Sequence, residues 1–214
     1  MREAEAFHGL PFLHPVTLVL CESPSRSWQV APQAPRGALA ITTITGSTIH
    51  LLPAGLAGAL PLEELLRHEL SHALLHQHQD VWAAFRASRH AWFVEGQAVA
   101  FARHRFCPPV ASLDRSTLQA ALERPETAIQ EIGVGPAYAA WSGFVEHLKE
   151  RHGAARFQAL QRLHLQSPSA PDEVLPQVLG TSLAAELAAL GAPPPAGLVR
   201  EPQDRHTGSF RKQP

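Results

Sequence analysis

The chain has 214 residues, of which 45% are hydrophobic and 17% charged, enough apolar material for a core in one domain and too much for a chain disordered throughout. A formal net charge of -1, with no dense Lys/Arg block, excludes the electrostatic footprint of a nucleic-acid binder. No stretch approaches the roughly 18 continuous apolar residues of a membrane span, and the opening MREAEAFHGLPFLHP lacks a basic start followed by an apolar run, so the chain reads as soluble and cytoplasmic. Cys21 and Cys107 belong to no CxxC pair and read as packing residues. The unusual feature of the composition is 13 histidines beside one tyrosine and one methionine.

Residues 1–15 read as an N-terminal extension and residues 16–190 as one α+β domain. Val16 to Cys21, a β-branched apolar run, reads as a strand. Ala38 to Thr43 and Ser47 to Leu52 are two more, joined by a tight turn around Thr45-Gly46, and the three predict a small N-terminal antiparallel sheet. From Pro61 the period becomes helical, with Glu63 and Glu64 in the first turn and apolar residues recurring at three and four to about His78. A second helix is expected from His90 or Ala91, carrying AWFVEGQAVAFAR toward the breaker pair Pro108-Pro109. Further helices are expected at Ser116 to Glu123, Pro136 to Arg151, Ala154 to Leu165, Pro171 to Leu179 and Ser182 to Leu190. Residues 191–214, rich in proline and without period, read as a disordered tail.

The first long helix contains His68-Glu69-Leu70-Ser71-His72, an HExxH motif. Histidines at i and i+4 lie one above the other on a helix face, so both imidazoles can reach one ion. Glu69 is rotated about 100° from His68, so it flanks the ion and can act as general base toward a metal-activated water. In a chain with 13 histidines, a chance HExxH occurs in about one sequence in twenty, so the position on an amphipathic helix adds weight.

A catalytic zinc usually has three protein ligands and an open position. His78 sits where a metzincin would place its third, but Leu75 occupies the glycine position of that pattern and the only methionine is Met1. Glu95, in Trp92-Phe93-Val94-Glu95-Gly96-Gln97-Ala98, is the alternative. An antiparallel second helix brings its carboxylate back to the imidazoles, and Gly96 lets a neighbouring helix approach closely. His76, His78 and His90 read as solvated or rim residues, His76 continuing the ligand stripe as a remote alternative.

HELSH followed by WFVEGQA resembles the gluzincins, the peptidase MA-like zinc metallopeptidases, whose pattern is HExxH and then an aromatic-x-x-E-G-x-A. YAAWSGFVEHLKERHG, with Tyr138, Phe144, Val145, Leu148 and Gly153, extends the resemblance, which covers about Val16 to Leu190. It implies a mostly helical zincin-like domain behind the sheet, one Zn2+ per chain held by His68, His72 and Glu95, and hydrolysis of a peptide or protein substrate. It also implies that Tyr138 donates to the oxyanion of the tetrahedral intermediate, with His147 and His152 as weaker candidates for that task. In this family the strand before the metal helix forms the edge along which an extended peptide lies; here that is Ser47 to Leu52, with His50 read as a surface residue.

The sequence departs from larger gluzincins at Val99, where some carry an aspartate that supports a histidine ligand. Backbone carbonyls, Asp80 or Glu131 are the candidates for that support. A zinc- or peptide-binding module that retains the fold without turnover is the second reading, and an accidental motif in a structural helical protein the third. Intact Glu69 favours the enzyme, because a module has no chemical need for that carboxylate. The sequence assigns no oligomeric state.

Overall fold

The computed structural model describes residues 1–21, 23, 38–87 and 90–190, and the expected tail at 191–214 lies outside them. The chain is mixed α+β, with three short strands near the N-terminal end followed by helices. The strands are β1 (Thr17–Leu20), β2 (Ala40–Thr42) and β3 (Thr48–Leu51). The described helices of four or more residues are α1 (Arg2–His8), α2 (Pro53–Leu56), α3 (Leu62–Gln77), α4 (Val81–Ala87), α5 (Ala91–Ala102), α6 (Arg115–Glu123), α7 (Ala128–Ile132), α8 (Val134–Gln166), α9 (Pro171–Val178) and α10 (Leu183–Leu190). None is long and apolar enough to cross a membrane.

The sheet order is β1-β3-β2, which corrects two expectations. First, only β2 and β3 are antiparallel; β1 runs parallel to β3, with Thr17 opposite Thr48 and Leu20 opposite Leu51. Strand-forming residues do not encode direction, and the chain between Leu20 and Ala40 is long enough for the crossover that a parallel pair needs. Second, β3 is the central strand and cannot be the edge that receives a peptide. Among the described residues β1 and β2 are the two edge strands, each paired only with β3.

The β2–β3 turn is tight as expected, with the Gly46 amide donating to the Thr43 carbonyl at 2.8 Å. The central position of β3 also buries His50, at 8% exposure, against Cys21, whose Sγ lies 4.0 Å from its Nδ1. Burial lowers the His50 pKa from the ordinary value.

α3 packs between two environments. Leu65 and Ala73 meet Ile49 and Leu51 of the sheet, while Leu74 and Leu75 join Val94 and Phe101 of α5 and Ala4 of α1. α5 is apolar almost all round, the pattern of a helix enclosed by neighbours, and it lies against both α3 and α8. Trp92 and Phe93 of α5 are fully enclosed with Trp141, Phe144 and Leu148 of α8. Each such side chain contributes on the order of 2 kcal/mol by leaving water.

Gly96 makes the α5–α8 contact possible, since a Cβ there would stand 2.7 Å from the Trp141 carbonyl oxygen. α8 is two helical segments joined at Gly153, whose φ of 77° and ψ of 164° are outside the reach of other residues at low cost. That break matches the two helices the sequence suggests. Residues 1–15, read as an extension, carry α1, which packs on α3 with Ala4 and His8 buried.

Candidate functional site

α5 buries nearly every side chain it has, and Glu95 is its single charged residue. A carboxylate on such a helix must find charged or hydrogen-bonding partners. Its partners come from α3: His68 Nε2 lies 3.4 Å from Glu95 Oε2, and His72 Nε2 lies 3.5 Å from Glu95 Oε1. The two Nε2 atoms are 3.0 Å apart.

These three distances bear on whether zinc fits. Ligand atoms about 2.0–2.1 Å from a tetrahedral zinc stand about 3.3 Å from one another. The two imidazole nitrogens, 3.0 Å apart, each face a different oxygen of the same carboxylate at 3.4 and 3.5 Å, separations of the size that ligands of one zinc ion show, and one ligand atom from each of the three residues lies within 4.8 Å of the others. Glu95 Oε2 is buried without a hydrogen-bond donor among the described residues. Two imidazoles and one carboxylate are also a donor set that zinc accepts. Among the described residues these are the only three His, Cys, Asp or Glu side chains whose ligand atoms converge in this way.

The electrostatics follow from the packing. Burial opposes ionisation of Glu95, but His72 and His68 outweigh it and hold the carboxyl well below the ordinary glutamate range. Burial likewise opposes protonation of His72, and Glu95 with Glu69 outweighs it, raising the imidazole.

Glu69 projects from the same helix turn, with Thr42 at the end of β2 donating its hydroxyl to Oε2 at 2.6 Å. The sheet thus orients the carboxylate that flanks the ligand face. Tyr138, in the first turns of α8, stacks on His68 with ring centroids 6.0 Å apart and planes at 16°. The Glu95 charge, burial and hydrogen bonding to Glu95 push the Tyr138 hydroxyl far above its usual range, so it remains a proton donor.

The other candidates lie elsewhere. His76 faces the Thr43 carbonyl, 3.1 Å from its Nδ1, and burial beside His72 lowers its pKa to about 4. It is a tie between α3 and the turn, half-buried and outside the ligand triangle. His78 Nε2 meets the Pro11 carbonyl at 2.8 Å. His147 and His152 pair with Glu186 at 2.9 and 3.1 Å, so neither shares the site with Tyr138. Asp80 caps α4, accepting the Ala83 amide at 2.6 Å, and Glu131 pairs with Arg124 at 2.8 Å. Neither supports a ligand.

Other residues near the three converging side chains were not singled out by the sequence. His104 Nε2 is 2.9 Å from His68 Nδ1, and Glu64 stands behind His104 with Oε2 3.7 Å from its Nδ1. Arg105 closes the group at 3.0 Å from Glu64 Oε1. Glu64 precedes His68 by one helix turn, a spacing visible in the sequence. His104 was not visible, because it reaches α3 only through the left-handed Arg103, φ 56°, that ends α5. His8 is a third case: its Nδ1 is 3.2 Å from Gln97 Oε1 and its Nε2 2.9 Å from Ser71 Oγ. Burial, partly offset by Gln97, lowers its pKa to about 4.

No protein-family model, curated protein or solved structure matches the chain.

Proposed function

We propose that the protein is a zinc-dependent metallopeptidase, with His68, His72 and Glu95 as metal ligands and Glu69 as general base. The observation that carries this reading is the convergence of His68 Nε2, His72 Nε2 and the Glu95 carboxylate, whose two oxygens face the two imidazoles at 3.4 and 3.5 Å, beside a second, oriented carboxylate. When bound, zinc supplies Lewis acidity, polarising a carbonyl and making water acidic enough to react at neutral pH.

The chain supplies the rest. Glu69 takes a proton from the attacking water and returns it to the departing amine, and Thr42 holds the carboxylate in the orientation this needs. Tyr138, kept protonated, donates a hydrogen bond to the oxygen on which charge develops. An extended peptide fits along β2. Thr43 donates to Thr48 and Leu39 accepts from Leu52, both at 2.9 Å, so by strand alternation the backbone groups of Ala40 and Thr42 point away from β3. Thr42 then links the docking edge to Glu69.

Metal content and peptide cleavage test the reading together. Protein purified without added metal is expected to carry about one zinc per chain, as is Glu69→Gln. Cleavage of an unstructured protein such as casein should fall by about 10²–10⁴ in Glu69→Gln. Zinc in both with equal, negligible cleavage points to a binding module instead, and absence of zinc from the natural chain removes the metal site.

A further inference from the structure

Resting on the metal-site reading above, we infer that Glu64 and His104 form a proton-ordering relay that fixes His68 in the tautomer able to bind metal. The relay takes the place of the carboxylate support that Val99 cannot provide. Glu64, His104 and His68 are all buried, at 7% residue exposure each.

The logic runs inward from Glu64. Its carboxylate faces His104 Nδ1 at 3.7 Å, longer than a hydrogen bond but well within the reach of charge, and favours the proton on that nitrogen. A neutral His104 carrying its proton on Nδ1 has a lone pair on Nε2. That lone pair meets His68 Nδ1 at 2.9 Å, so His68 must place its own proton on Nδ1 and donate it. His68 Nε2 is then left as a lone pair facing His72 Nε2, and the relay has to outweigh the Glu95 carboxylate, whose Oε2 lies 3.4 Å from His68 Nε2 and favours a proton there. The opposite order would put a proton on His68 Nε2, aimed at His72 Nε2 3.0 Å away, where it would block a metal.

Glu64 and His68 are one turn apart on α3, so their separation is fixed by the helix. Arg105 also engages Glu64, its backbone amide donating to Oε2 at 3.2 Å and its largely exposed side chain placing Nε 3.0 Å from Oε1. His104 is thereby a positioning residue, acting on the metal through His68.

The direct test is nitrogen-15 NMR of the histidine rings in metal-free protein at neutral pH, with zinc affinity by chelator competition as the second readout. The natural chain is expected to show the His68 proton on Nδ1. His104→Ala should weaken zinc binding about 10–100-fold, the usual effect of losing a ligand's hydrogen-bond partner. His104→Gln, whose amide oxygen can accept the same proton, should recover most of that loss. Glu64→Gln, which removes the charge and keeps the shape, should fall between them.

A His68 proton on Nε2 in the natural chain overturns the relay, as does His104→Ala with zinc affinity within twofold of natural. Failure of His104→Gln to exceed His104→Ala also counts against it, provided both retain the natural circular dichroism. A chain with the expected tautomer but no zinc affinity would leave the relay standing and remove the metal reading instead.

Discussion

Two clusters in this molecule use the same side chains, two histidines and one glutamate, to opposite ends. In the first, His68, His72 and Glu95 turn their ligand atoms toward a common point. In the second, the fully buried Glu186 stands between its histidines, accepting from His147 on one oxygen and His152 on the other, with Arg151 Nε 3.5 Å away. Spacing accounts for the difference. Histidines at i and i+4 share a helix face, whereas those at i and i+5 are about 140° apart and reach a carboxylate from two sides. The first arrangement leaves a triangle of donors; the second closes on itself and clamps α10 to α8.

The sharpest way to break this comparison is to remove each glutamate. Glu95→Ala should weaken zinc binding by at least about 100-fold, while Glu186→Ala leaves zinc affinity unchanged in a chelator competition. Zinc lost equally from both would mean that the effect is global unfolding. The stability ranking should be the reverse. Glu186→Ala is expected to cost about 3 kcal/mol in urea denaturation, because it strands two histidines and an arginine that were paired to a buried carboxylate.

Acid should sharpen the contrast further. Burial raises the Glu186 pKa, but hydrogen bonds from Thr181, His147 and His152 outweigh it, leaving the carboxyl below its ordinary value of 4.5. A group depressed in the folded state contributes stability above the unfolded pKa, and that stability is lost as pH falls through the folded one. Between about pH 6 and pH 3.5 the natural protein should therefore lose more stability than Glu186→Gln. Parallel pH profiles would show the clamp to be electrostatically neutral. The smallest effect is expected at Thr42→Val, which removes one hydrogen bond to Glu69: about fivefold in cleavage rate, with zinc content intact. An unchanged rate would mean that Glu69 needs no orientation from the sheet.

What could be read from the sequence, and what could not, divides along physical lines. α3 and α5 were legible because each is long and patterned, and because a lone charge in AWFVEGQAVAFA has few explanations. The break in α8 was legible at Gly153. α1 and α4, at seven residues each, were not, since helices this short are held by tertiary contacts such as those of Ala4 and His8 and not by their own propensity. The direction of β1, the central place of β3 and the burial of His50 depend on how the chain returns to the sheet, which no strand pattern records. The His68–Tyr138 stacking was reachable only through the order of motifs, and His104 only through a single left-handed residue.

His8 joins Ser71 on α3 to Gln97 on α5, which makes α1 a fastener across the pair. Its consequence is kinetic. When α1 lifts, two buried hydrogen bonds are lost without any break in α3 or α5, so the interhelical gap can breathe at a free energy below that of global unfolding. Amide hydrogen exchange should reveal this as a low-energy opening, with α1 amides exchanging before those flanking Glu95.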